Sequence, residues 1–140
     1  MKKLSLFFIS LFLLSFSIAA FPRTVIQILP VTLKKNYQTQ TPANSLYKIT
    51  EAHIVNGTLR VQVEFKGKNP FVNSSLFWNG AFLKSRPPQV NLHLHIIKEI
   101  SGGTTKWNET YYFNVKNFRG NTIHLYNGKT LFKSFPALRN

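Results

Sequence analysis

The chain has no cysteine and no aspartate, and only four acidic residues among 140: Glu51, Glu64, Glu99 and Glu109. Without cysteine there is no disulfide, no thiolate nucleophile, no Cys-ligated zinc and no lipid-attachment cysteine, so packing and strand pairing must supply the stability. Without aspartate a Ser-His-Asp triad is excluded, and no Gly-x-Ser-x-Gly elbow places a nucleophile for a glutamate version. Calcium loops of the EF-hand type need aspartate-rich segments, and no phosphate-cradling glycine loop precedes a helix. The four glutamates read as solvent faces or turn flanks, which leaves no carboxylate pair for glycoside hydrolysis. The chain is therefore expected to be a non-enzyme that needs no cofactor.

Helical periodicity is also lacking once the first twenty residues are set aside. Those residues carry Lys2 and Lys3, an apolar run from Leu4 to Ile18, and the small pair Ala19-Ala20. That order is a secretory signal peptide. Its run is shorter than the roughly 20 residues that span a bilayer as a helix, so cleavage after Ala19 or Ala20 is expected. The remainder, residues 21–140, is long enough for one core and too short for two. The expected location is periplasmic or secreted.

Basic residues are plentiful: 18 Lys and Arg give a net charge of +14. A surface of this sign attracts anionic polymers. Given the export signal, lipopolysaccharide, teichoic acid, anionic lipid at a membrane surface or another exported protein are expected partners, rather than nucleic acid.

Turn pairs punctuate alternating segments at Asn56-Gly57, Asn79-Gly80, Gly102-Gly103 and Asn127-Gly128. Each predicts a hairpin with a testable register. Asn56-Gly57 sets Ile54 against Leu59, Ala52 against Val61 and Thr50 against Val63, with His53 against Arg60 and Glu51 against Gln62 on the other face. Gly102-Gly103 sets Val90 against Val115, Leu92 against Phe113 and Leu94 against Tyr111. Asn79-Gly80 joins residues 76–78 to 81–83, and Asn127-Gly128 sets Ile123 against Phe132 and Leu125 against Thr130. Residues 36–44 and 67–75 read as loops. Pro30 splits a further strand region and suits an edge or a crossover. The expected fold is all-β, an immunoglobulin-like antiparallel sandwich of seven to nine strands.

Two constellations carry candidate chemistry. Trp78 and Phe82 lie close in sequence to Lys84 and Arg86, and aromatics rimmed by cations form a platform for a sugar polymer or an anionic partner. Alternatively, Trp78 and Phe82 fill the core. His93 and His95, two apart on a strand, point the same way. With Glu99, this run resembles the first metal motif of the cupins, with His124 standing for the distant third histidine. That resemblance implies a metal-binding protein or enzyme, whereas as a polar strand face the pair leaves His93 to stack on Tyr112.

The segment Trp78-Asn79-Gly80-Ala81-Phe82-Leu83-Lys84-Ser85-Arg86-Pro87-Pro88-Gln89-Val90-Asn91-Leu92, following the strand from Val61 to Phe65, resembles NigD-like exported bacterial β-sandwich proteins over about 30 residues. Gly67-Lys68-Asn69 and Thr104-Thr105 stand where that pattern has cysteines. The resemblance implies an exported sandwich of structural or binding character.

Overall fold

The computed structural model describes residues 26–37, 47–67, 72–98 and 104–137. Eight strands cover them: β1 (Ile28–Leu33), β2 (Tyr47–Val55), β3 (Thr58–Lys66), β4 (Val72–Leu83), β5 (Gln89–Lys98), β6 (Lys106–Asn114), β7 (Thr122–Asn127) and β8 (Thr130–Phe135), with one 3-10 turn at Lys116–Phe118. All eight join one sheet in the order β2-β3-β6-β1-β4-β5-β7-β8. The sheet is all-β as expected, but mixed rather than antiparallel: β1 runs parallel to both β4 and β6, and β5 runs parallel to β7. It is rolled nearly into a barrel, and its two edge strands approach each other where Lys133 Nζ on β8 donates to the Ala52 carbonyl on β2 at 2.7 Å.

Strand β1 makes the roll possible. Its first half pairs with β6, Ile28 opposite Tyr112 and Leu29 opposite Phe113, and its second half pairs with β4, Val31 opposite Leu76 and Leu33 opposite Trp78. Pro30 sits at the switch. Its missing N–H removes a ladder donor where the strand changes partners, but the expected split is corrected: β1 runs unbroken through Pro30 and lies inside the sheet between β6 and β4.

One core fills the interior. Ile49, Ala52, Leu59, Val61, Val63 and Phe113 come from β2, β3 and β6, and Leu76, Val90, Leu92, Leu94, Ile123, Leu125 and Phe135 from β4, β5, β7 and β8. These positions alternate along their strands, as period-two patterning requires.

The Asn56-Gly57 hairpin has the expected register at four pairs: Glu51 with Gln62, Ala52 with Val61, His53 with Arg60, and Ile54 with Leu59. Beyond them the ladder shifts, so Ile49 rather than Thr50 faces Val63. The shift leaves Ile49 buried, while the Thr50 hydroxyl donates to the Gln62 carbonyl at 3.2 Å. A bulge here keeps the apolar side chain inside.

The other hairpins are corrected. Val90, Leu92 and Leu94 do not meet Val115, Phe113 and Tyr111. Strand β5 lies between β4 and β7, while β6 lies between β3 and β1; Gly102 and Gly103 are outside the described residues. Asn79-Gly80 is not a turn but a bulge inside β4: Trp78 faces Leu92, Phe82 faces Val90, and three residues stand opposite Asn91 alone. Gly80 adopts φ 87°, which a side chain would resist. The Asn79 side-chain oxygen accepts from the Ala81 N–H at 3.0 Å. The chain instead reverses at Ser85–Pro88, where the Ser85 hydroxyl donates to the Pro87 carbonyl at 2.7 Å. Residues 72–75, expected in a loop, open β4.

At the last hairpin Asn127 faces Thr130, so Gly128 and Lys129 make the turn, and Ile123 faces Phe135 rather than Phe132. The ladder shift between Leu125 and Tyr126 leaves Phe135 buried and Phe132 exposed. Burial of one phenyl ring, about 1.5–3 kcal/mol, outweighs an ideal turn sequence.

Candidate functional site

Opposite residues on neighbouring strands share a face, so Trp78 and Phe82, facing buried Leu92 and Val90, lie on the interior side of β4. They do so at a mouth beside the β4 bulge, where β1 has left β6 for β4. Trp78 is half-buried and packed on the core, with its ring 5.1 Å from Phe82 and, edge-on, 5.1 Å from buried Phe118. Its indole N–H donates to the Ala81 carbonyl across the bulge at 3.1 Å. Phe82 is 46% exposed, Leu83 47% and Leu33 53%. Trp78 thus closes the core, as the second alternative expects, while Phe82 extends from it to the surface. Lys84 and Arg86 follow, both exposed. Beside this mouth a recess of about 190 Å³ is lined by Val31, Leu33, Trp78, Asn114, Asn117 and Phe118. It lies where β1 has left β6 for β4.

The outer face of β4, β5 and β7 carries a second group of rings. Phe77, His93 and Tyr126 occupy one cross-strand row, and His95 stands opposite Ser75. The turn after β1 lies over them, pinned by the Lys34 N–H donating to the Trp78 carbonyl at 2.8 Å. Tyr37 from that turn lies 4.9 Å from Phe77 and 5.5 Å from His93, His93 stacks on Tyr126 at 5.0 Å, and Phe77 lies 5.9 Å from His95. His93 thus stacks on Tyr126 and not on Tyr112, because β6 is not its neighbour. Lys34 Nζ sits 5.1 Å from the Phe77 centroid and 5.6 Å from that of Tyr37, within cation–π range.

Burial lowers the pKa of His93 below 6.5, partly offset by its bond to the Gly128 carbonyl, and burial with the Lys34 charge lowers that of His95. The unfolded chain therefore binds more protons than the folded one below pH 6.5. Stability from these groups is complete above that pH and is lost as pH falls through their folded values. A carbonyl only accepts, so His93 Nδ1 carries the proton toward Gly128, 3.3 Å away, and neutral Nε2 is an acceptor.

His124 lies on the same outer face, opposite Asn91. Its nitrogens are both engaged, Nε2 with Gln89 Oε1 at 2.9 Å and Nδ1 with the Ser134 hydroxyl at 2.7 Å. Glu99 is outside the described residues. Among the described residues no group of three or more His, Cys, Asp or Glu stands close enough to hold a metal ion.

Charge is unequally divided. Among the described residues every acid lies on β2, β3 or β6: Glu51, Glu64 and Glu109. Glu51 pairs with Arg60 at 3.4 Å and His53 at 3.5 Å, and Glu64 with Lys48 at 3.4 Å and Lys106 at 3.9 Å. The other half of the sheet and its turns carry Lys34, Lys84, Arg86, Lys129 and Lys133 without a described acid. Sequence reasoning missed Lys34, Tyr37 and Tyr126 as neighbours of the histidines. The parallel β5–β7 pairing and the folded-over turn unite them, and neither has a local sequence signal.

No family model, no curated protein and no solved structure matches the chain.

Proposed function

We propose that the protein is an exported, non-catalytic binding module that holds an anionic envelope polymer on the β4-β5-β7-β8 half of its sheet. The observation that carries this reading is the division of charge: described acids are confined to β2, β3 and β6, and among the described residues no acid pairs with the cations opposite. Such a surface concentrates polyanions and speeds their encounter. The mouth supplies contact at close range through Phe82 and the edge of Trp78, with Lys84 and Arg86 as the cationic rim.

Periplasmic placement or secretion after removal of residues 1–20 belongs to the same proposal, and rests on Lys2-Lys3, the apolar run from Leu4 to Ile18 and the small pair Ala19-Ala20. So does the finer architecture, an immunoglobulin-like sandwich similar to the NigD-like proteins. It is supported by a core shared between the β2-β3-β6 and β4-β5-β7-β8 halves.

Retention on polygalacturonate beads tests the reading. The purified protein binds at about 50 mM salt and elutes before about 0.5 M, because screening shortens the Debye length severalfold over that range. Binding that persists at about 0.5 M shows that charge is not the driver, and no retention at low salt removes the polymer from the proposal.

A further inference from the structure

The ring group on the outer face of β4, β5 and β7 has no part in the mouth. Phe77 and Trp78 are successive residues on opposite faces of β4, so a ligand seated on one does not touch the other. We propose that this outer face is a second site, one that takes a single saccharide unit bearing a carboxylate and holds it more tightly as pH falls from about 7.5 to about 5.5. It rests on the polyanion reading for the sign of its ligand, and not on Trp78 or Phe82.

Three features point to that ligand. The rings form a continuous series, Tyr126-His93-Tyr37-Phe77-His95, with neighbouring centroids 4.9 to 5.9 Å apart. All five are half-buried, so each is fixed by its neighbours and still presents part of its surface. Fixed rings bind the C–H face of a pyranose with little loss of side-chain freedom. Lys34 rides on the series and has no ion pair to a described residue. A cation without an acid beside rings suits an anion attached to a ring-shaped body.

The pH response follows from the groups around the patch. The turn after β1 contributes Lys34 and Tyr37, β5 contributes His93 and His95, β7 contributes Tyr126, and the next turn contributes the Gly128 carbonyl; β4 contributes the neutral Phe77 and Ser75. No described acid faces them. Lys34 supplies the standing positive charge. Burial favours neutral imidazoles in the empty site, and an anion seated beside them draws protons onto them as pH falls, adding up to two imidazolium charges, while a uronate, with a carboxyl pKa near 3.5, stays ionised. Protonated His95 also faces Lys34, and an anion between them relieves that repulsion.

Calorimetric titration with hexagalacturonate, and with maltohexaose as a neutral ligand of equal length, tests the site. The wild-type protein binds the uronate at least about fivefold more tightly at pH 5.5 than at pH 7.5, and the neutral sugar at least about tenfold more weakly than the uronate at pH 5.5. His93→Gln with His95→Gln removes the pH response, so that whatever affinity the variant keeps no longer differs between pH 5.5 and pH 7.5. Lys34→Gln and Phe77→Ala each weaken binding about tenfold at pH 5.5. Lys34 is exposed, so its variant reports on the site even where Phe77→Ala disturbs folding. Wild-type affinity in Lys34→Gln, or equal affinity at the two pH values, overturns the proposal. If either occurs while polygalacturonate beads still retain the protein, the second site fails and the polyanion reading stands; loss of bead retention as well removes both.

Discussion

Phe113→Ala lowers the folding free energy by about 3–5 kcal/mol, the range for deleting a fully buried phenyl ring. Phe113 is completely buried near the end of β6, opposite Leu59 on β3 and Leu29 on β1. Hydrogen-bonded strands on both sides hold its surroundings apart, so the space left by the ring cannot collapse and the cavity cost is near its upper limit. A domain of this size has about 5–15 kcal/mol of stability in total, so the variant loses a large share of it. The melting temperature followed by circular dichroism falls by roughly 10–20 °C. Phe113→Leu keeps most of the volume and costs under about 1.5 kcal/mol. A melting temperature of Phe113→Ala within about 2 °C of wild type shows that β6 is not sandwiched between β3 and β1.

Phe82→Ala has the opposite profile. Phe82 is 46% exposed and touches Trp78 beside the β4 bulge, so its loss costs under about 1 kcal/mol of stability. On the proposed reading, binding to polygalacturonate falls about tenfold, equivalent to about 1.4 kcal/mol, because the exposed ring would be the forward contact of the mouth. Arg86→Glu replaces an attractive charge with a repulsive one and weakens binding further at low salt, with the difference shrinking as salt rises. Equal binding by Phe82→Ala and wild type removes the mouth from the proposal, whatever the melting temperature.

The two predictions separate core from surface along one pattern that the sequence carried only in part. Strand content and the register from Glu51 to Ile54 were legible because each depends on residues close together in the chain. The β5–β6 pairing failed for an instructive reason. Any two strands with alternating apolar residues match in register, so Val90, Leu92 and Leu94 suit Phe113 and Tyr111 as readily as they suit Leu76 and Leu125. What selects between them is global: the roll places β1 beside β6 and leaves β5 to β4 and β7. Asn79-Gly80 misled because a positive φ serves a bulge as well as a turn. At Asn127-Gly128 burial of Phe135 moved the turn by one residue.

The site was legible in composition and not in arrangement. Trp78 and Phe82 could be picked out beside Lys84 and Arg86 because the four are near in sequence. The shared direction of His93 and His95 followed from strand periodicity. Their real neighbours, Tyr37 and Tyr126, come from segments distant in the chain, and no local spacing joins them. The segregation of acids onto β2, β3 and β6 was likewise invisible until the order of strands in the sheet was known.

The two tryptophans offer the most direct test of the mouth. Trp78 donates its indole N–H to the Ala81 carbonyl beside Phe82, and Trp107 donates its own to the Gly67 carbonyl at the start of β6, among β3 neighbours. A nitrogen–proton correlation spectrum thus holds one indole signal at the binding mouth and one control away from it. Titration with polygalacturonate at low salt is expected to shift or broaden the Trp78 signal while that of Trp107 stays in place. A spectrum in which Trp107 responds and Trp78 does not, or in which neither moves while the polymer is bound, contradicts it.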